Sequence, residues 1–197
     1  SDTCANLLSV CVEEGIYEFN FVLPPTSVGY TLIADVCCRN PNIVNLVTPS
    51  QQGIAFFATI PPTSIANNSP LYAIPPVPFL CASDTNIVSN TVYDLDGDSL
   101  SYTFAWPFAG LGPFGAVNGL PFQYPAPIPK VVYSPGFGQF NPFGNAGVAE
   151  IDSLNGLSTF YNPNTGFFVV SIFIREYRNG IQIAQYRRDL QLIFIPC

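Results

Sequence analysis

Twenty prolines cut this chain of 197 residues into apolar runs that are strand-sized and separated by Pro-, Gly- and Asn-rich turns. Ile16 to Leu23 alternates Tyr, Phe and Val with Glu and Asn, the period of a half-buried strand. Tyr30 to Cys37 and Gly53 to Ile60 read the same way. Further strands are predicted at Thr85 to Val92, Leu100 to Trp106, Val131 to Tyr133, Ala149 to Asp152, Leu157 to Tyr161, Phe167 to Tyr177 and Ile181 to Ile195. Arg178-Asn179-Gly180 marks a hairpin between the last two, because Asn-Gly supplies the positive φ of a tight turn. Long helical periodicity is absent. Short strands with regular turn signals predict an all-β protein built from two β-sandwiches. A Pro-rich connector, residues 61–78, is expected to act as an extended spacer between a module over 1–76 and a second over 77–197. The first module offers only some four strands, so it is expected to borrow one from the second module, a neighbouring chain or an upstream segment.

The apolar content calls for burial. Hydrophobic residues make up 48% of the chain, charged ones only 10%, and the mean hydropathy is +0.31. Soluble chains average about 25% charged. No stretch reaches the roughly 18 apolar residues of a membrane span, so none is expected, and burial against other modules or copies accounts better for the excess. Thirteen acidic against six basic residues exclude a nucleic-acid partner.

The cysteines number six and histidine is absent. Zinc sites that need His are thereby excluded, and no pair of C-x-x-C motifs exists for a Cys₄ site. Disulfides in an oxidising compartment follow for Cys4, Cys11, Cys37, Cys38, Cys81 and Cys197, although the sequence does not choose among the pairings. Cys4 and Cys11 can close a short loop. Cys81 and Cys197 stand at the two ends of the second half, where a bridge would clamp its termini. Cys37 and Cys38 fall in a predicted strand, so their thiols are expected on opposite faces with different partners. The start at Ser1 without a signal peptide reads as a mature form or an excised fragment.

The most specific local motif is Tyr93-Asp94-Leu95-Asp96-Gly97-Asp98-Ser99-Leu100-Ser101-Tyr102. Three carboxylates at alternate positions across a Gly turn can face one hard cation, and calcium takes six to eight oxygen ligands. The closing Glu of an EF-hand is missing and strand follows Leu100. A plain acidic turn is the alternative, but close carboxylates repel one another without a counter-ion, which favours calcium.

Asp94 to Tyr102 resembles the D-x-DGD-x-L-x-Y segment of bacterial cadherin-like and immunoglobulin-like surface repeats. Ile151-Asp152-Ser153-Leu154-Asn155-Gly156-Leu157 is similar to their I-D-x-x-T-G-x turn, with Asn155 in place of Thr. Asn164-Thr165-Gly166-Phe167-Phe168-Val169-Val170 resembles the lead into their next strand. In those repeats an acidic residue often ends that strand beside the calcium site, and Glu176 occupies the matching position. The resemblance therefore implies calcium ligands Asp94, Asp96, Asp98 and Glu176. Cys37-Cys38-Arg39-Asn40-Pro41-Asn42-Ile43, the segment from Asn68 to Cys81, and Arg175-Glu176-Tyr177-Arg178-Asn179-Gly180 with Arg188-Asp189-Leu190-Gln191 are similar to large secreted Bacteroidota surface proteins. Type IX secretion and gliding-motility signals accompany those proteins. Such a resemblance implies an extracellular, cell-surface protein acting in adhesion, filaments or gliding. Its partners would be other copies or neighbouring domains.

Catalysis is not expected. Without His, Ser-His and Cys-His machinery is excluded, and carboxylate pairs such as Glu13-Glu14 or Glu150-Asp152 read as solvated faces or turn caps. Arg175, Arg178, Arg187 and Arg188 are expected to pair across strands with Glu176 and Asp189 rather than bind acidic sugars. Trp106, Phe108, Phe114, Phe122, Tyr124, Tyr133, Phe137, Phe140 and Phe143 crowd a Pro/Gly-rich stretch. They are expected to fill core and an interaction surface, with stacking on glycans as the alternative.

Overall fold

The computed structural model describes residues 15–18, 20–73, 79–111 and 126–197. Cys4, Cys11, Phe114, Phe122 and Tyr124 lie outside them. The described residues form eleven strands: β1 Tyr30–Val36, β2 Ile54–Ile60, β3 Leu71–Tyr72, β4 Phe79–Cys81, β5 Thr85–Ser89, β6 Val92–Tyr93, β7 Ser99–Ala105, β8 Val148–Ile151, β9 Leu157–Tyr161, β10 Gly166–Arg178 and β11 Ile181–Ile195. The protein is all-β. The large sheet runs β1-β2-β11-β10-β7, with β4 added parallel to the end of β11. A second sheet runs β5-β9-β8, and β3 with β6 makes a short ribbon.

The long hairpin β10–β11 is the spine. Asn179 and Gly180 take φ of 53° and 79°, the two positive values that a tight two-residue turn requires. Along β10 the side chains alternate between faces, and both faces are covered. Phe168, Val170, Ile172 and Ile174 enter the main core with Leu190, Leu192 and Phe194 of β11, Tyr102 and Phe104 of β7, and Phe160 of β9. Val169 points the other way, into a smaller cluster with Ile43, Leu46 and Val131. A strand buried on both sides explains why residues 167–174 read as an apolar run broken only by Ser171 rather than as an alternating one.

Buried polar groups stitch the second face. The amide of Asn45 donates to the Pro142 and Val169 carbonyls at 3.0 and 2.9 Å, and its oxygen accepts from Val169 N at 3.0 Å. Arg39 and Asp189 form a bidentate pair at 2.9 and 2.7 Å, with both side chains almost fully buried. Strands on either side of residue 76 share one sheet, since Ala58 and Phe57 of β2 pair with Tyr186 and Arg187 of β11.

Several expectations are corrected. Residues 16–18 and 20–23 are not strand, and among the described residues none forms a ladder with them. Val131 to Tyr133 contributes only a bridge between Leu46 and Tyr133. Cys37 and Cys38 do not face opposite ways. β1 ends at Val36, so strand alternation no longer separates them, and their sulfurs lie at disulfide distance from each other. Cys81 and Cys197 bond as a clamp with a Cα–Cα distance of 5.5 Å. The connector is more than a spacer: Leu71 and Tyr72 pair with Tyr93 and Val92.

Candidate metal centre

The acidic turn joins β6 to β7. Asp94 organises it, its Oδ1 accepting from the backbone N–H of Asp96 and of Asp98, both at 2.9 Å. Gly97 supplies the turn with φ of 80°. These bonds point the remaining oxygen of Asp94, Oδ2, inward, where it is buried without a hydrogen-bond partner.

Glu176 comes from β10, opposite Leu100 of β7, at the position just before a register shift. Its side chain is fully buried, at 0% exposure. The Tyr186 hydroxyl donates to Oε2 at 2.6 Å, and Oε1 has no partner. Asp94, Asp98 and Glu176 each bring a carboxylate oxygen within 4.8 Å of the others. Burial pushes Glu176 above the ordinary carboxylate range; the interactions with Tyr186 and Asn67 oppose the rise, and Asp98 and Asp94 add to it.

Asp96 stands apart from that trio. Its oxygens accept from the N–H and the side-chain amide of Asn68, at 2.6 and 2.8 Å, and the backbone bond first of all holds its carboxyl below the usual range. Arg178 supplies the positive charge. Its Nε and Nη2 grip both oxygens of Asp98 at 2.8 and 2.6 Å, which lowers the Asp98 carboxyl in turn. The same guanidinium donates to the Ala66 carbonyl and to Asn67 Oδ1. Among the described residues Arg178 forms ion pairs with Asp98 and Asp96, while Asp94 and Glu176 have none. Oxygen-only ligands of this kind suit a hard divalent cation.

Sequence reasoning missed Tyr186, Asn67 and Asn68. The Asn-Asn pair in the Pro-rich connector carried a signal, since such side chains satisfy nearby backbone and carboxylate groups.

The remaining arginines are placed differently from the expectation. Asp189 takes Arg39 rather than a neighbour on the hairpin. Arg187 lies over the rings of Phe108 and Phe173, at 3.7 and 5.0 Å, and donates to the Trp106 carbonyl. Burial pulls it down to about 10. Arg188 lies 4.2 Å over Tyr72 and donates to Asn90 Oδ1. Arg175 covers Phe173. Aromatic faces replace carboxylates as partners because β10, β3 and the loop after β7 bring Phe173, Tyr72 and Phe108 alongside.

The aromatic stretch divides. Phe143 is buried and packs edge-on against Phe160, Phe168 and Phe194, with ring centroids 5.0 to 5.6 Å apart. Phe137 packs on Phe168. Trp106 donates to the Val131 carbonyl and meets Tyr133 edge-on, while Phe140 remains exposed. Trp106, Phe137 and Phe140 line an open groove of about 650 Å³ together with Gln139, Asn141 and Asn145.

Comparison with family models, with curated proteins and with solved structures gave no match to this chain. Among the described residues, no helix is long and apolar enough to cross a membrane.

Proposed function

We propose that the chain is a non-catalytic structural module or subunit of a bacterial extracellular adhesin or filament, immunoglobulin- or cadherin-like and stabilised by calcium. One observation carries the assembly reading. The β1–β2 hairpin leaves Leu32, Val36 and Phe56 exposed on one face of the large sheet, an apolar surface that isolated soluble proteins rarely keep. Calcium is supported by the two buried carboxylate oxygens without partners, on Asp94 and Glu176, that converge with Asp98. Imaging of the purified chain with calcium and with chelator tests both. Regular polymers support assembly, and a melting temperature that chelator leaves unchanged refutes the calcium site.

A second reading has its own support. The groove of Trp106, Phe137 and Phe140 combines rings with side-chain amides, the chemistry that stacks on and hydrogen-bonds a glycan. Glycan binding by a chain that stays single-copy favours this reading.

A further inference from the structure

We propose that the connector completes the metal centre, with Asn67 supplying a neutral oxygen ligand, so that a bound cation fastens residues 66–69 to the acidic turn. This rests on the calcium reading above and adds a ligand and the segment that the ligand would hold.

Calcium takes about six to eight oxygens, drawn from carboxylates, amide and backbone carbonyls and water. Asp94, Asp98 and Glu176 offer three carboxylates, so neutral oxygens are needed to fill the shell. The demand for a cation comes from buried groups. Oδ2 of Asp94 and Oε1 of Glu176 are buried without a hydrogen-bond partner, and Glu176 is 0% exposed.

Arg178 marks where a positive charge already sits among oxygens of this kind. Its Nη2 donates to Asp98 Oδ2 at 2.6 Å, to Asn67 Oδ1 at 2.9 Å and to Asp96 Oδ2 at 3.4 Å. Oxygens that share one nitrogen lie within a few ångströms of one another. Among the described residues, Asn67 is the neutral side chain in that set. It also lies close enough to Glu176 to act on its carboxyl. Asn67 thus neighbours two of the three clustered acids, Asp98 through the shared nitrogen and Glu176 directly.

The residues around Asn67 are held at the same place. The Ala66 carbonyl accepts from Arg178 Nη1 at 2.8 Å. Asn68 donates its N–H and its side-chain amide to Asp96, at 2.6 and 2.8 Å. Ser69 interacts with Tyr186, whose hydroxyl donates to Glu176. Just beyond, Leu71 and Tyr72 of β3 pair with β6, which runs directly into Asp94. Four successive connector residues therefore meet the site, and the next strand meets the entry to the turn. A ligand bond from Asn67 would add to hydrogen bonds that already bring the segment there.

The test is titration calorimetry of the full chain with calcium chloride, for wild type, Asn67→Ala and Asn67→Asp, beside hydrogen exchange of the 66–69 amides. Asn67 is only half-buried, so neither change opens a core. In the wild type, calcium is expected to bind and to slow exchange over 66–69. Asn67→Ala is expected to bind about tenfold more weakly. Asn67→Asp keeps an oxygen in place and adds charge, so it is expected to bind more tightly, a gain that misfolding cannot produce. Equal affinity in all three chains overturns Asn67 as a ligand and leaves the calcium reading intact. Weaker binding in both variants assigns Asn67 to the positioning of Arg178 and likewise overturns it as a ligand. Calcium binding that leaves exchange at 66–69 unchanged overturns the fastening of the connector. A wild-type chain that binds no calcium overturns the calcium reading and this inference with it.

Discussion

Arg178 holds Asp98 by two parallel bonds, Nε to Oδ1 at 2.8 Å and Nη2 to Oδ2 at 2.6 Å, from a strand end on the far side of the acidic turn. A guanidinium seated this way partly does the work of a cation, and it competes with one. Arg178→Gln keeps a donor and removes the charge. The expected outcome is a lower melting temperature in chelator and a larger rise on adding calcium than the wild type shows. Calorimetry with and without calcium checks it.

Glu176 gives a pH signature. Its folded-state carboxyl titrates above the ordinary value of 4.5, chiefly through burial. The folded state therefore holds a proton that the unfolded state has lost. Without metal, stability falls as pH rises from about 4.5 through the raised folded value. Asp98 and Asp96 act oppositely, because Arg178 and Asn68 lower them. Their stabilisation is present above the ordinary carboxylate range and lost on acidification. Glu176→Gln removes the first slope and keeps the second. In chelator at neutral pH the variant is expected to be more stable than the wild type and indifferent to calcium, which urea titrations across pH will show.

Asp189 and Arg39 are buried together, with 3 and 2% side-chain exposure. Removing either one strands a charge in the interior. Asp189→Ala is expected to cost about 3–5 kcal/mol in denaturant unfolding, far more than loss of a surface pair.

Two phenylalanines three residues apart should behave unlike each other. Phe143→Ala opens a hole among Phe160, Phe168 and Phe194 and is expected to cost about 3–5 kcal/mol. Phe140, 67% exposed, should change stability by no more than about 0.5 kcal/mol on truncation. Loss of glycan binding in Phe140→Ala would count for the second functional reading.

The Cys81–Cys197 bond closes a loop of sequence separation 116. Its removal as the Cys81→Ser/Cys197→Ser pair is expected to cost about 2–5 kcal/mol. Non-reducing peptide mapping confirms the bond, and urea unfolding gives the loss.

Local features were legible where the local chain decides them. Asn179-Gly180 announced its turn because positive φ is a property of those residues, and the long runs flanking it could only be strands. The Asp-x-Asp-Gly-Asp turn was readable for the same reason, but its occupancy was not. Whether Asp96 faces a cation or Asn68 depends on where the connector comes to lie, and no spacing in the sequence states that. Ile16 to Leu23 shows the same limit from the other side: its alternation is strand-like, but a strand exists only when another lies beside it. Cys37 and Cys38 turned on where β1 stops, at Val36, and a strand boundary is not stated by the residues at it.

The clamp has a mechanical meaning. Tension arriving from outside residues 81 and 197 passes through one covalent bond and bypasses everything between them, including the acidic turn and both hairpins of the main core. On the order of 400 Å of contour is withheld from extension, at about 3.4 Å per residue. Under tension the residues between Cys81 and Cys197 would stay closed as a unit of fixed length for as long as the bond holds.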